Sequence, residues 1–194
     1  MPLDLQSERL TLTPLSLTDV ELIIEMFTDA EVLKYAGGKA MSEEAVREKM
    51  PTWIRRAGNG CIGVWCVSDR ISGEKYGTCA LLPMPIDEED TDWDSLVEDA
   101  MPVQDIEVGY FLKRPAWNKG YATEACRRIL RFAFTDTPLT KVVATIDDDN
   151  ERSRHVLEKA GFFYQGRARA YAEDSPIFCI ERDGWKNSTI NRPG

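Results

Sequence analysis

Along the first half of the chain the hydrophobic pattern changes period repeatedly, and each change marks an element. Leu10 and Leu12 alternate with threonines as on a short half-buried strand. Leu22, Ile23, Met26, Phe27 and Ala30 then recur at helical spacing behind Thr18, a residue type suited to cap a helix. "YAGGKAM" predicts a flexible break. Ser42 followed by Glu43 and Glu44 predicts a second helix, because a hydroxyl cap and early carboxylates suit the positive helix end, and Pro51 predicts that it kinks or ends. "CIGVWCVSD", "RISGEK" and "YGTCALLPM" have the composition of strand, turn and strand.

In the second half, "IEVGYFLKR" predicts a strand leading directly into "RPAWNKGYATEA". From Tyr121 onward Ala122, Ala125, Cys126, Ile129, Leu130, Ala133 and Phe134 form one apolar helical stripe, with Arg127, Arg128 and Arg131 on a solvated face. "KVVATID" predicts a strand, "NERSRHVLEKA" a short helix closed by Gly161, and "FFYQGRARAY" and "PIFCIERDG" the final strands. Val156, Leu157, Ala160 and Phe162 are expected in the core. Strands alternate with helices while hairpins occupy both ends, which predicts an α/β fold built on a mixed sheet.

Composition narrows the function. A chain of 194 residues, 43% hydrophobic and 29% charged, fits one domain over residues 1–194 with a sizeable core. A net charge of -9 disfavours nucleic acid or an anionic membrane as the main partner and favours a cationic one. No apolar run reaches the roughly 20 residues that span a bilayer, and "MPLDLQSERL" lacks the basic-then-apolar order of a signal peptide, so a cytoplasmic location is expected. Five cysteines without C-x-x-C pairing fit reduced, mostly buried thiols, and no metal site is expected. Cys61 and Cys66, an odd separation apart on one strand, would face opposite ways. His155 lies two residues from Ser153, points away from it on a helix, and is expected in solvent. One segment is biased: "PIDEEDTDWDSLVEDAMPVQD", the body of an acidic insertion at about residues 83–105, predicts a solvated loop.

The stretch before the long helix carries candidate chemistry. A strand, a short loop and a helix N-terminus make an anion site, because the first N–H groups of the helix lack internal partners and its dipole reinforces them. Gly120 and Ala122 allow close approach, and Lys119 adds charge. The same G-x-A also suits a helix packed tightly on its strand, and these residues alone leave both open. Neither a P-loop nor a three-glycine dinucleotide fingerprint is present.

"IEVGYFLKRPAWNKGYATEACRRILRFAF" followed by "KVVATIDDDNERSRHVLEKAGFFYQG" resembles the two central motifs of the GNAT superfamily of acyl-CoA-dependent N-acetyltransferases. The branch containing the ribosomal-protein alanine acetyltransferases is the most similar, and "SERLTLTPLSLTDV" and "FCIERDGW" extend the likeness over most of the chain. The resemblance implies a strongly twisted mixed sheet flanked by helices, in which two central parallel strands, residues 106–113 and 141–147, splay to admit the pantetheine of acetyl-CoA. It implies that main-chain groups at Phe111 and Leu112 bond the pantetheine. The loop of Trp117, Asn118, Lys119, Gly120, Tyr121, Ala122 and Thr123 would receive the pyrophosphate. Trp117 replaces the superfamily's common Gln or Arg, and Asn118 replaces the branch's glycine, a change that asparagine's tolerance of left-handed backbone accommodates.

The resemblance also implies roles in catalysis. Glu107 corresponds to an acidic position linked to proton removal, directly or through water; the alternative is a carboxylate that only binds a cationic substrate or a neighbouring arginine. A strand N–H near Leu112 would polarise the thioester carbonyl. The superfamily's tyrosine acid is replaced by Leu157, so Ser153 would bond the leaving thiolate while water supplies the proton. Asn150 anchors cofactor or water, caps the helix, or both. Together these imply transfer of acetyl from acetyl-CoA to a primary amine, by direct attack in a ternary complex. A protein N-terminus, a small amine or amino-sugar, and a lysine side chain all remain open. The carboxylates of residues 87–99 would favour a basic peptide or polyamine. A non-catalytic acyl-CoA-binding sensor or interaction domain of the same fold is the competing expectation.

Overall fold

In the computed structural model, which describes residues 2–187, eight strands form one sheet. They are β1 (Leu5–Gln6), β2 (Leu10–Pro14), β3 (Gly63–Asp69), β4 (Lys75–Pro83), β5 (Ile106–Leu112), β6 (Lys141–Thr145), β7 (Phe163–Ala170) and β8 (Glu173–Glu181). Their spatial order is β1-β2-β3-β4-β5-β6-β8-β7, and β5–β6 is the parallel pair among antiparallel neighbours. Five helices accompany the described sheet: α1 (Val20–Phe27), α2 (Glu43–Trp53), α3 (Tyr121–Asp136), α4 (Glu151–Ala160) and α5 (Arg182–Asn187). The period of two in each strand sends alternate side chains to opposite faces. Val64, Cys66 and Ala80 meet Leu22, Ile23, Met26, Val46 and Met50 of α1 and α2. Trp65, Val67, Cys79, Leu81 and Val108 meet Ile129, Leu130, Phe132 and Ala133 of α3. The helical stripe forecast for α3 is buried as expected, apart from a half-buried Ala122.

Several local expectations need correction. The cap ahead of α1 is not Thr18, which sits inside a 3-10 turn; Ser16 N–H donates to Asp19 Oδ2 at 2.9 Å and closes that turn instead. Cys61 precedes β3 rather than lying on it, and its thiol donates to Gly58 O. "ERDG" ends a strand only at Glu181; Arg182 opens α5, which buries Trp185 against Phe134 at 5.5 Å. The arginines of α3 are not all solvated. Arg128 is half-buried and donates to Gln6 O at 2.8 Å, while Arg127 donates to Lys159 O, so the two tie α3 to β1 and to the end of α4. Ser42 does cap α2, accepting from Ala45 N–H at 3.1 Å, and Pro51 sits two residues before that helix ends.

The acidic segment differs most from its expectation. It is anchored rather than solvated throughout, because it carries its own apolar residues: Leu96 is buried, and Trp93 packs half-buried against both cores. Gly58 N–H donates to Val97 O and Ala100 O, and Asn59 N–H to Glu98 O.

Gly77 of β4 lies where the sheet meets the loop ahead of α3. A methyl group there would run into Phe111 O and lie 2.7 Å from Leu112 Cα. Gly77→Ala is therefore expected to destabilise the protein by about 1–3 kcal/mol through forced separation of β4 and β5. Denaturant midpoints of parent and variant measure it, and an unchanged midpoint would mean that the strands adjust freely.

Candidate active site

The bonds from Lys113 N–H to Tyr76 O and from Met84 N–H to Asp105 O, both 2.9 Å, set the phase of the β4–β5 ladder. Glu107, Gly109 and Phe111 therefore exchange main-chain bonds with β4, while Val108, Tyr110 and Leu112 turn theirs toward β6. On that side β5 meets β6 at a single register pair, Glu107 with Val143. Beyond it the strands splay as expected and share no further register pair among the described residues, so the edge of β5 that carries the N–H groups of Tyr110 and Leu112 faces the splay. Leu112 O is taken by the Trp117 indole N–H at 2.6 Å. The sequence expectation is thus corrected at Phe111: its main chain faces β4, and its ring packs edge-on against Phe27 at 5.4 Å. Gly109 leaves open space on β5, with nothing within 4 Å of where a Cβ would stand.

The loop from β5 to α3 is shaped by two left-handed residues, Asn118 at φ 61° and Gly120 at φ 80°. The first internal bond of α3 is Glu124 N–H to Gly120 O, so the amides of Tyr121, Ala122 and Thr123 are available to an anion. Arg9 reaches this loop from the start of β2. Its guanidinium donates to Lys119 O at 3.0 Å, pairs with Glu124 at 2.7 Å, and lies 4.8 Å from the centre of the Tyr121 ring. Arg152 lies 5.0 Å over the Trp117 ring. The Lys119 side chain is exposed. Two guanidinium groups therefore flank the helix N-terminus, whereas Arg127 and Arg128 of α3 are engaged elsewhere.

At the start of α4, Asn150 Oδ1 caps the helix by accepting Ser153 N–H at 3.1 Å. Ser153 Oγ lies 2.7 Å from the Tyr110 hydroxyl, so a phenol from β5 stands behind the serine. Burial pushes the Tyr110 proton affinity up and keeps that group a donor. Leu157 is core and His155 is exposed, both as expected.

Glu107 is 6% exposed, and burial pushes its carboxyl up to about 8, with the Thr145 hydroxyl pulling the other way. The Tyr171 hydroxyl donates to Glu107 Oε1. Tyr171 belongs to the β7–β8 turn, whose amides bond the beginning of the acidic segment at Pro85 O and Ile86 O. Four of that segment's carboxylates have counter-ions: Asp87 with Arg169 at 2.5 Å, Asp90 with Lys49 at 4.0 Å, Asp94 with Arg55 at 2.7 Å and Asp105 with Lys141 at 2.7 Å. Asp92 caps a 3-10 turn, and Glu88, Glu89, Glu98 and Asp99 face solvent. Sequence reasoning missed Arg9, Tyr110, Arg152 and Tyr171. Tyr110 alone carried a local signal, since strand alternation separates it from Glu107; the others arrive through contacts that no spacing encodes.

Several known proteins resemble this chain. Residues 9–163 match the model of the acetyltransferase (GNAT) domain family. The uncharacterized N-acetyltransferase p20 of Bacillus licheniformis is 27% identical over 86% of this chain and 86% of its own. The FsC-acetyl coenzyme A-N(2)-transacetylase of Aspergillus fumigatus is 27% identical over 93% of this chain and 77% of its own. Among solved structures, a spermidine N-acetyltransferase of Vibrio cholerae in complex with CoA and spermine superposes with a TM-score of 0.70 at 18% identity, covering 93% of this chain and 100% of its own. That last likeness is one of fold.

If the loop ahead of α3 holds a diphosphate, coenzyme A should raise the melting temperature of the parent protein, since a ligand of the folded state alone stabilises it. Gly120→Val forces a branched residue into left-handed backbone and places its Cβ 3.4 Å from the Arg9 guanidinium. The variant should fold yet lose that shift; a shift equal to the parent's would remove the loop from the binding site.

Proposed function

The chain belongs to the GNAT acetyltransferase family, and from that premise we propose that it moves acetyl from acetyl-CoA to a primary amine by direct attack in a ternary complex. The observation that carries this reading is the splay beyond Glu107 and Val143. It sets unpaired strand amides beside a buried carboxyl and opens next to a helix N-terminus with free N–H groups. These residues suit acetyl-CoA: Tyr110 and Leu112 amides for the pantetheine, the amides of Tyr121, Ala122 and Thr123 with Arg9 for the pyrophosphate. Trp117 supports the loop, and Asn150 shapes the start of α4.

Acetyl-CoA supplies an acetyl thioester whose carbonyl oxygen takes up negative charge as the amine attacks. A fixed N–H of the splayed strand, at Tyr110 or Leu112, stabilises that charge without reorganising. Glu107 accepts the proton that the amine must lose. An ordinary carboxylate is too weak a base for this, and burial brings Glu107 toward the range where proton transfer from an ammonium or its water is efficient. Ser153 donates a hydrogen bond to the departing sulfur and is itself backed by Tyr110, with water restoring the proton. Glu107 and Tyr110 differ by an odd step along β5 and project to opposite faces, so base and thiol partner do not compete.

The acceptor is a cationic amine, a polyamine or a basic peptide. Glu88, Glu89, Glu98 and Asp99 give the segment uncompensated negative charge, and its first residues touch the turn that reaches Glu107. A fold neighbour that holds spermine supports the same chemistry. Among the described residues no helix is long and apolar enough to cross a membrane, and five free thiols suit a reducing compartment, so we place the reaction in the cytoplasm.

Two experiments follow. With an acceptor of low basicity, which is neutral throughout, the parent's kcat should rise with pH through an apparent pKa of about 8, because the deprotonated Glu107 is the active form. Glu107→Gln should lower kcat by about 10²–10⁴-fold and flatten that rise while acetyl-CoA affinity holds, and Ser153→Ala should lower it less. Parental kcat in Glu107→Gln would return that residue to structure.

Separately, exchanging Glu88, Glu89, Glu98 and Asp99 for their amides should raise KM for a polyamine several-fold at low salt and flatten its salt dependence, leaving acetyl-CoA kinetics unchanged. Equal ratios for charged and neutral amines at every salt concentration would leave the segment without a role in recognition.

A further inference from the structure

The hairpin joining β7 and β8 turns through two residues, Tyr171 and Ala172, at φ 53° and 60°. A two-residue turn of this hand favours glycine or asparagine, because a larger side chain in the left-handed region crowds its own backbone. An aromatic residue keeps that conformation where its surroundings over-determine it, and such positions gather at functional sites. The surroundings here are the first residues of the acidic segment. Tyr171 N–H donates to Pro85 O at 3.2 Å, Ala172 N–H to Ile86 O at 2.9 Å, and Arg169 pairs with Asp87 two residues from the turn. The ring of Tyr171 packs on Met84, Val143 and Ala170, and its hydroxyl ends on Glu107 Oε1.

We propose that Tyr171 is a positioning residue for Glu107, held in its strained turn by the start of the acidic segment; this rests on the reading of Glu107 as the base. The two nearest register partners of Glu107, Leu82 on β4 and Val143 on β6, are apolar and give its carboxyl no direction. Thr145 and Tyr171 supply the hydroxyls that do. A hydrogen bond donated by Tyr171 fixes Oε1, leaves Oε2 for the amine or its water, and favours the ionised form against the burial that opposes it. The same segment that carries the solvent-facing Glu88 and Glu89 thus also holds the residue that aims the base, so cation recognition and proton transfer share one support.

Tyr171→Phe keeps the ring and removes the hydroxyl. It is expected to lower kcat by about 10-fold or more, since small misplacements of a catalytic group are costly, with KM for acetyl-CoA and melting temperature unchanged. In a Glu107→Gln background the same change should produce no further fall, because its effect runs through Glu107. Tyr171→Asn, which suits the turn but lacks both the phenol and the packed ring, should show a loss of kcat at least as large. Parental kcat in Tyr171→Phe, or an equal fall in both backgrounds, would overturn the assignment. A fully active Glu107→Gln variant, which retains Tyr171, would instead remove the base reading on which it rests.

Discussion

Main-chain N–H and C=O groups inside a protein need partners, and β5 and β6 provide them for each other at one place only, where Glu107 faces Val143. Past that point the two strands diverge with no further register pair among the described residues, and the edge of β5 that carries the Tyr110 and Leu112 donors faces the gap. The rest of the structure serves to keep that gap open without losing the fold. On its other edge β5 is paired along its whole length with β4, which fixes its phase and its direction. Gly77 permits the close approach of those strands, and Trp117 ties the loop back to Leu112 O, so the splay ends in a defined loop rather than in fraying chain.

Two electrostatic environments result, one on each side of the gap. Toward the loop, Arg152 and the exposed amides of α3 favour anions, with Arg9 held in place by Glu124, although the whole chain is acidic. Toward Glu107, burial raises the proton affinity of the carboxyl, and the hydroxyls of Thr145 and Tyr171 contact it. An overall charge of -9 therefore says little about the loop ahead of α3 and more about the acidic segment, where Glu88, Glu89, Glu98 and Asp99 face solvent. The acidic segment does both jobs that its composition hides: buried Leu96 and half-buried Trp93 anchor it, while its carboxylates stay in water.

Local periodicity made much of this legible. The stripe on α3, the cap at Ser42, the left-handed Gly161 and the strand order around "IEVGYFLKR" all follow from residues near one another in the chain, where spacing maps directly onto a face. The resemblance placed the splay and the loop. Elements too short to show a period, such as the two residues of β1, were not legible, nor was α5, whose helix is fixed by the burial of Trp185. Arg9, Tyr110 and Tyr171 reach the site across the sheet or from a distant turn, and their partners are set by topology. At Phe111 the expectation turned the main chain to the open edge, whereas it faces β4, because a ladder's phase depends on its neighbour's register.

Residue-resolved amide exchange with and without coenzyme A tests the central claim most directly, since it reads the unpaired donors themselves. Saturating coenzyme A is expected to slow exchange at Tyr110, Leu112, Tyr121, Ala122 and Thr123 and to leave Phe111, already bonded to β4, unchanged. Binding that leaves the Tyr110 and Leu112 amides as fast as in the free protein would contradict it.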